Sequence, residues 1–297
     1  MTALLPLRAF VARRPIATFF TLAIALSWLA WIPYVLSDNG LGVVHFGFPP
    51  VLGTTQILGM LPGAYLGPIF SAFLVTALAE GRPGLRAWVG RLLRWRVNWR
   101  WYALALFAVP VVLTLASLPF AGAFRVPAAS LILVWALGFV LQIVTTGLAE
   151  EPGWRDFALP HLQPKYGPLR GTLILGPLWG VWHLPLFFTE WGHWPDVTVW
   201  SVLEFVATAI AISFVMTWVF NRSGESLPIA LLLHAGINNY LSVAWGELFP
   251  SADPKVAEHL LFAAFAAAAL LVVAATRGRL GYPRPATESP GAIQRVQ

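Results

Sequence analysis

The stretch LAEEPGWRDF, residues 148–157, sets Glu150 and Glu151 side by side where a long apolar run ends. An ionisable side chain near the centre of a membrane helix costs on the order of 2.5 to 3.5 kcal/mol, so such groups tend to face one another or a wet cavity. Two other apolar stretches carry matching polar groups. GPLWGVWHLPLFF places Trp179 and His183 four residues apart, and LLLHAGINNY does the same for His234 and Asn238. Each pair therefore projects from one helix face. Glu151 and Arg155 share a face if their helix continues and can pair, which leaves Glu150 pointing about 100° away. Pro152 leaves a second reading open, in which a new helical segment begins there. Three helices thus offer a carboxylate, an imidazole, and an imidazole with an amide to a common interior. A positioned carboxylate or imidazole can take a proton from water. Imidazole and amide donors aimed at one oxygen stabilise a tetrahedral intermediate.

The elements that must hold these groups are membrane helices. The 297 residues are 58% hydrophobic and only 11% charged, against roughly a quarter charged in ordinary soluble domains. Mostly apolar stretches of the length that crosses a ~30 Å hydrocarbon core occur at about 16–36, 58–79, 101–121, 128–149, 168–188, 197–220, 227–247 and 256–276. This predicts an all-α membrane protein, a bundle of about eight transmembrane helices in a single domain over 1–280, with its motif-bearing core at 140–245. Loops on one side hold every Arg and Lys except Arg125 and Lys255. The positive-inside rule makes that side, and both termini, cytoplasmic, and puts Glu150 at the cytoplasmic end of its span. The plasma membrane is the expected location. The first span follows three arginines, lacks a small-x-small cleavage site and reads as a retained anchor.

In GLRAWVGRLLRWRVNWRW, Leu85, Trp88, Val89, Leu92 and Leu93 fall at helical spacing while Arg86, Arg91 and Arg94 lie elsewhere on the wheel. An amphipathic helix in the cytoplasmic headgroup layer is expected. Pro177 and Pro185 are expected to bend the fifth span so that His183 reaches the cavity. Residues 281–297, rich in Pro and polar groups, read as a disordered cytoplasmic tail. The net charge of +6 follows from topology, and the arginines never form a run with interleaved polar readers, which argues against nucleic acid as a partner. With no cysteine in the chain, disulfides, thiolate nucleophiles and Cys-ligated metals are excluded.

Glu150, Glu151 and Arg155 form EExxxR, Trp179 and His183 fit [FW]xxxH, and His234 and Asn238 fit HxxxN. In order and rough separation, these motifs resemble the CPBP family, the CaaX proteases and bacteriocin-processing enzymes also called the Abi family. The resemblance covers about residues 140–245. It implies a bundle of eight transmembrane helices and, as in the Ras-converting eukaryotic relatives, removal of the three C-terminal residues of prenylated CaaX proteins in a cavity open to cytoplasm and membrane. By motif, Glu150 would be the general base that activates water, with help from His183. His234 and Asn238 would stabilise the oxyanion, while Glu151, Arg155 and Trp179 would shape the site. The partners so implied are the lipid bilayer and a peptide or membrane-anchored protein substrate.

Two versions of this chemistry stay open: hydrolysis by the glutamate without a metal, and a zinc site formed by Glu150, His183 and His234, although the helical HExxH signature is absent. A non-hydrolytic member of the family, an immunity factor or scaffold, is the alternative function. A proton-coupled transporter would fit the buried Glu and His, but paired broken helices in two halves are missing. Glu204 falls outside the motifs, and His45, His161, His193 and His259 are assigned no chemistry.

Overall fold

The computed structural model describes residues 4–120 and 122–283; all but the first three residues of the expected tail lie outside them. Every extended element among the described residues is helical. α1 (Leu4–Arg13) leads into α2 (Pro15–Leu36), which begins on Pro15, where the missing N–H would be unpaired anyway. α3 (Gln56–Ala64), a π-helical turn over Tyr65–Ile69 and α4 (Phe70–Ala79) make one 24-residue apolar run. A Cβ added at Gly67 would sit 2.9 Å from the carbonyl oxygen of Ala23. That closeness lets Ser27 donate to the Gly63 carbonyl at 2.7 Å and Trp31 to that of Met60 at 2.7 Å, small-residue packing of the kind membrane helices use.

α5 (Gly81–Leu92) is the expected amphipathic helix. One of its arginines departs from expectation: Arg91 turns inward to pair with the buried Asp156, and Trp88 donates to the Pro152 carbonyl at 3.0 Å. α6 (Trp99–Ser117) opens on Asn98, whose side chain accepts from the Arg100 amide at 3.0 Å.

α7 (Ser130–Gln142), a π turn over Ile143–Gly147, α8 (Leu148–Gly153), a second π turn over Trp154–Ala158 and α9 (Leu159–Trp182) follow without an intervening loop. The helical run Ser130–Phe188 has 59 residues; at ~1.5 Å per residue it would span nearly three hydrocarbon cores if straight. It is not straight. At Gly167 the backbone takes φ 77° and ψ 162°, a combination essentially reserved for glycine, and the chain doubles back, so that Gly171 packs beside Leu162. This run is thus two crossings. Together with the six other runs long and apolar enough to cross a membrane, it brings the bundle to the expected eight.

α10 (Val199–Arg222) starts from a capping box between Thr198 and Ser201 and packs along α9, where Gly176 and Gly180 face Ile210 and Val206. α11 (Leu227–Asn239) continues through a π turn over Tyr240–Trp245 into the short α12 (Gly246–Leu248). α13 (Pro254–Thr276), capped by Asp253, lies against α10. Side chains such as Ile132, Leu133, Leu270 and Leu271 stay exposed on the outside, as expected where lipid is the solvent.

Candidate active site

Glu150 and Glu151 do not end their helix. Helix continues on both sides of them, from Ser130 to the reversal at Gly167, which places the carboxylates in its middle. Hydropathy falls at Glu150 because charges begin there, but Glu150, Glu151, Arg155 and Asp156 are all buried and compensate one another. Pro152 does not start a new segment, since the helix passes through it. Gly153 fits only because it lacks a side chain: a Cβ would lie 2.7 Å from the backbone of Pro68 in the neighbouring π turn.

On the face shared by Glu151 and Arg155, the guanidinium Nε lies 3.4 Å from Glu151 Oε2, and both side chains are fully buried. Glu151 Oε1 lies 2.8 Å from Nδ1 of His234 on α11. A carboxylate oxygen facing a ring nitrogen requires that nitrogen to carry the proton. Arg155 also stacks its guanidinium 4.6 Å from the Trp179 ring centroid and donates to Ser213 and the sulfur of Met216 on α10. One buried cation thus ties α8, α9 and α10 together.

Glu150, around the helix from this cluster, accepts from the indole N–H of Trp179 through Oε2 at 2.7 Å. Its Oε1 makes no hydrogen bond among the described residues. His183 follows Trp182 as the cap residue of α9, and its Nδ1 lies 2.9 Å from the Trp179 carbonyl. A carbonyl only accepts, so His183 Nδ1 carries hydrogen and the neutral ring keeps its lone pair on Nε2. Pro185 does not bend α9, as had been expected. It ends the helix and opens a 3-10 turn over Leu184–Phe188, which leaves His183 packed among Trp182, Trp191 and Phe205, with the Trp191 ring nearly parallel to its own.

Glu150, Trp179, His183, His234 and Asn238 line one cavity of about 920 Å³. Three separate helices contribute, as the spacing predicted. Asn239 turns away instead and donates to the Trp135 carbonyl. Glu204 is at the rim, 2.6 Å from His259. Among the described residues, no group of three or more His, Cys, Asp or Glu side chains is gathered closely enough to hold a metal ion.

Sequence reading missed the aromatic wall of Trp191 and Phe205, and the Asp156–Arg91 pair. Glu190 was also missed; it accepts from Tyr34 at 2.9 Å and from Asn39 at 3.2 Å, fixing the loop that carries Trp191. The signal for Asp156 was present as a fourth charge in a buried motif; the aromatics had none, because they lie among many others in apolar sequence.

The cavity opens at the end where α3, α10 and α13 begin, beside Thr54, Thr198 and Lys255. At the arginine-rich end the interior is filled by Trp154, Arg155 and Asp156, all fully buried.

A family model described as type II CAAX prenyl endopeptidase Rce1-like matches residues 132–240, a segment that contains all three motifs. CAAX prenyl protease 2 of Methanococcus maripaludis is 24% identical over 217 residues, which cover 70% of this chain and 79% of that protein. EExxxR, [FW]xxxH and HxxxN, in sequence and gathered at one cavity, all fall inside the segment in which this multi-pass chain is similar to the Rce1-like family model.

Proposed function

We propose that the protein is an intramembrane endopeptidase that hydrolyses a peptide bond in a membrane-associated or C-terminal, CaaX-like substrate. The observation that carries this reading is the state of Glu150: one carboxylate oxygen is fixed by Trp179 and the other has no partner among the described residues, in a cavity shared with His183, His234 and Asn238. The name of the Methanococcus maripaludis relative points to the same reaction class.

In this mechanism a water molecule gives a proton to Glu150 while its oxygen attacks the scissile carbonyl. The lone pair on His183 Nε2 accepts the second water hydrogen and orients the attack. Negative charge forms on the carbonyl oxygen, where the Asn238 amide and His234 Nε2–H donate. The His234 contribution needs the imidazolium, and Glu151 is its counter-charge. Glu150 then passes its proton to the departing nitrogen, and the products are a carboxylate and an amine. Glu151, Arg155 and Trp179 hold the reacting groups in place. No step requires a metal. The enzyme is assigned to the plasma membrane, with both termini cytoplasmic.

The test uses purified full-length protein in proteoliposomes and a library of lipid-anchored peptides, prenylated CaaX peptides included. Glu150→Gln keeps the shape of the side chain and removes the base, and a loss of about a hundredfold or more in kcat is expected. Undiminished cleavage by Glu150→Gln and by His183→Ala would reject the reading. Full in-cell function of Glu150→Gln at normal expression would favour the non-hydrolytic binder.

A further inference from the structure

The surroundings of the cavity bear on what enters. Its floor is Glu150, His234 and Ile212, and the walls rise past His183 and Trp191. The rim is formed by Thr54 and Gln56 before and in α3, by Asp196, Thr198 and Glu204 around the start of α10, and by Asp253, Lys255 and Glu258 at the start of α13. No residue between 151 and 178 or between 213 and 233 lines the cavity, so it does not extend to the other end of the bundle.

The two ends differ sharply in charge. At the mouth end, the basic residues among those described are Arg125 and Lys255, whereas the acidic ones are Asp38, Glu190, Asp196, Glu204, Glu247, Asp253 and Glu258. The closed end carries the arginines of α1 and α5, Lys165, Arg170, Arg222, Arg277 and Arg279. Cytoplasmic loops collect Lys and Arg, so the closed end is the cytoplasmic one and the mouth faces the other side of the membrane.

Resting on the hydrolase reading, we infer that the substrate enters from the non-cytoplasmic face and is a peptide segment with positive charge beside the bond to be cut. Four carboxylates on the rim, Asp196, Glu204, Asp253 and Glu258, face a single ammonium, Lys255. Glu204 is paired with His259 at 2.6 Å, and Glu258 has His193 at 3.8 Å. Asp196 makes no side-chain hydrogen bond or ion pair among the described residues, and Asp253 only caps α13. A low-dielectric funnel with a negative rim draws cationic segments inward and repels acidic ones, and the effect fades with salt. At the bottom wait two buried side chains, Glu150 and His183, each with a polar atom that has no partner among the described residues. A prenylated C-terminus presented in the cytoplasm would meet the closed end, so this inference separates the substrate class from that of the CaaX proteases.

The chain has no cysteine, which makes the direction of the mouth directly measurable. In intact cells, Thr198→Cys at the rim is expected to react with a membrane-impermeant maleimide, and Lys165→Cys, exposed at the closed end, only after permeabilisation; the reverse pattern overturns the inference. Arginine-flanked and glutamate-flanked lipid-anchored peptides are then offered to right-side-out vesicles, inside-out vesicles and detergent-solubilised protein. Cleavage is expected in detergent and right-side-out vesicles, at least tenfold faster for the arginine-flanked peptide at low salt. Cleavage in detergent and only inside-out vesicles would overturn the access route and leave the hydrolase standing, whereas no cleavage in detergent would count against the hydrolase itself. Asp196→Asn with Asp253→Asn should shrink the preference severalfold through KM, with the change lost at high salt. A preference that survives both would overturn the charge argument.

Discussion

At the scale of single residues, the site is a division of labour between adjacent carboxylates. Glu151 is consumed by charge neutralisation, held by Arg155 on one oxygen and His234 on the other, while Glu150 keeps an oxygen for solvent. Trp179 links the two halves, because its N–H holds Glu150 and its ring face carries Arg155. Trp179→Phe separates these functions. Phenylalanine keeps a ring beneath the guanidinium but has no donor, and a hydrogen bond to a charged group is worth about 1.5 to 3 kcal/mol. A fall of roughly tenfold or more in kcat is expected, with KM changed by less than about twofold, as steady-state kinetics would show. Equal losses in kcat and stability with no such split would reduce Trp179 to a packing role. The pairing of Glu151 with Arg155 and the orientation of Trp179 and His183 toward one cavity could be read from i,i+4 spacing. The donation from Trp179 to Glu150 could not, because it joins helices 29 residues apart and spacing speaks only within a helix.

At the scale of elements, two π turns bracket the carboxylates, one on each side of α8. Such turns widen the helix by one residue and recur at functional sites. Hydropathy and periodicity carry no signal for them, which is why the phase of the site's helix was not legible. The placement of α5 was legible only in part. Its apolar stripe predicted an interfacial helix, but wheel position alone assigned Arg91 to lipid headgroups, whereas the buried Asp156 captures it. The two partners are unequal: the Asp156 side chain is 1% exposed and that of Arg91 17%. Arg91→Ala therefore strands a buried charge, with an expected cost of about 3 to 5 kcal/mol. Asp156→Ala frees an arginine that can reach water and should cost clearly less. Removing both should recover part of the Arg91→Ala loss. Thermal unfolding followed by tryptophan fluorescence checks the order, and equal losses for the two single variants would mean that the burial difference is not felt.

For the whole molecule, eight crossings and their alternation were legible, because length, hydropathy and the lopsided distribution of arginine are global properties that a single misplaced boundary does not erase. The continuation of the helix past the carboxylates was not, since charges that neutralise one another inside a bundle look in sequence like the end of a helix. The length of that continuation is set by the reversal at Gly167. Residues 148–166 must run on past the carboxylates before turning, and only then can α9 return alongside and deliver Trp179 and His183 to Glu150. With φ 77° and ψ 162°, any side chain at Gly167 is strained, although open space surrounds the position and no contact would be lost. Gly167→Val should thus cost about 1 to 3 kcal/mol from backbone conformation alone. Gly90 is the control: it also has open space, but no positive φ, and Gly90→Val should cost less than about 1 kcal/mol. If the two variants melt together, the tight reversal is dispensable and the helical hairpin is held by its flanks; if Gly167→Val alone is destabilised, the turn itself sets how α9 returns to Glu150.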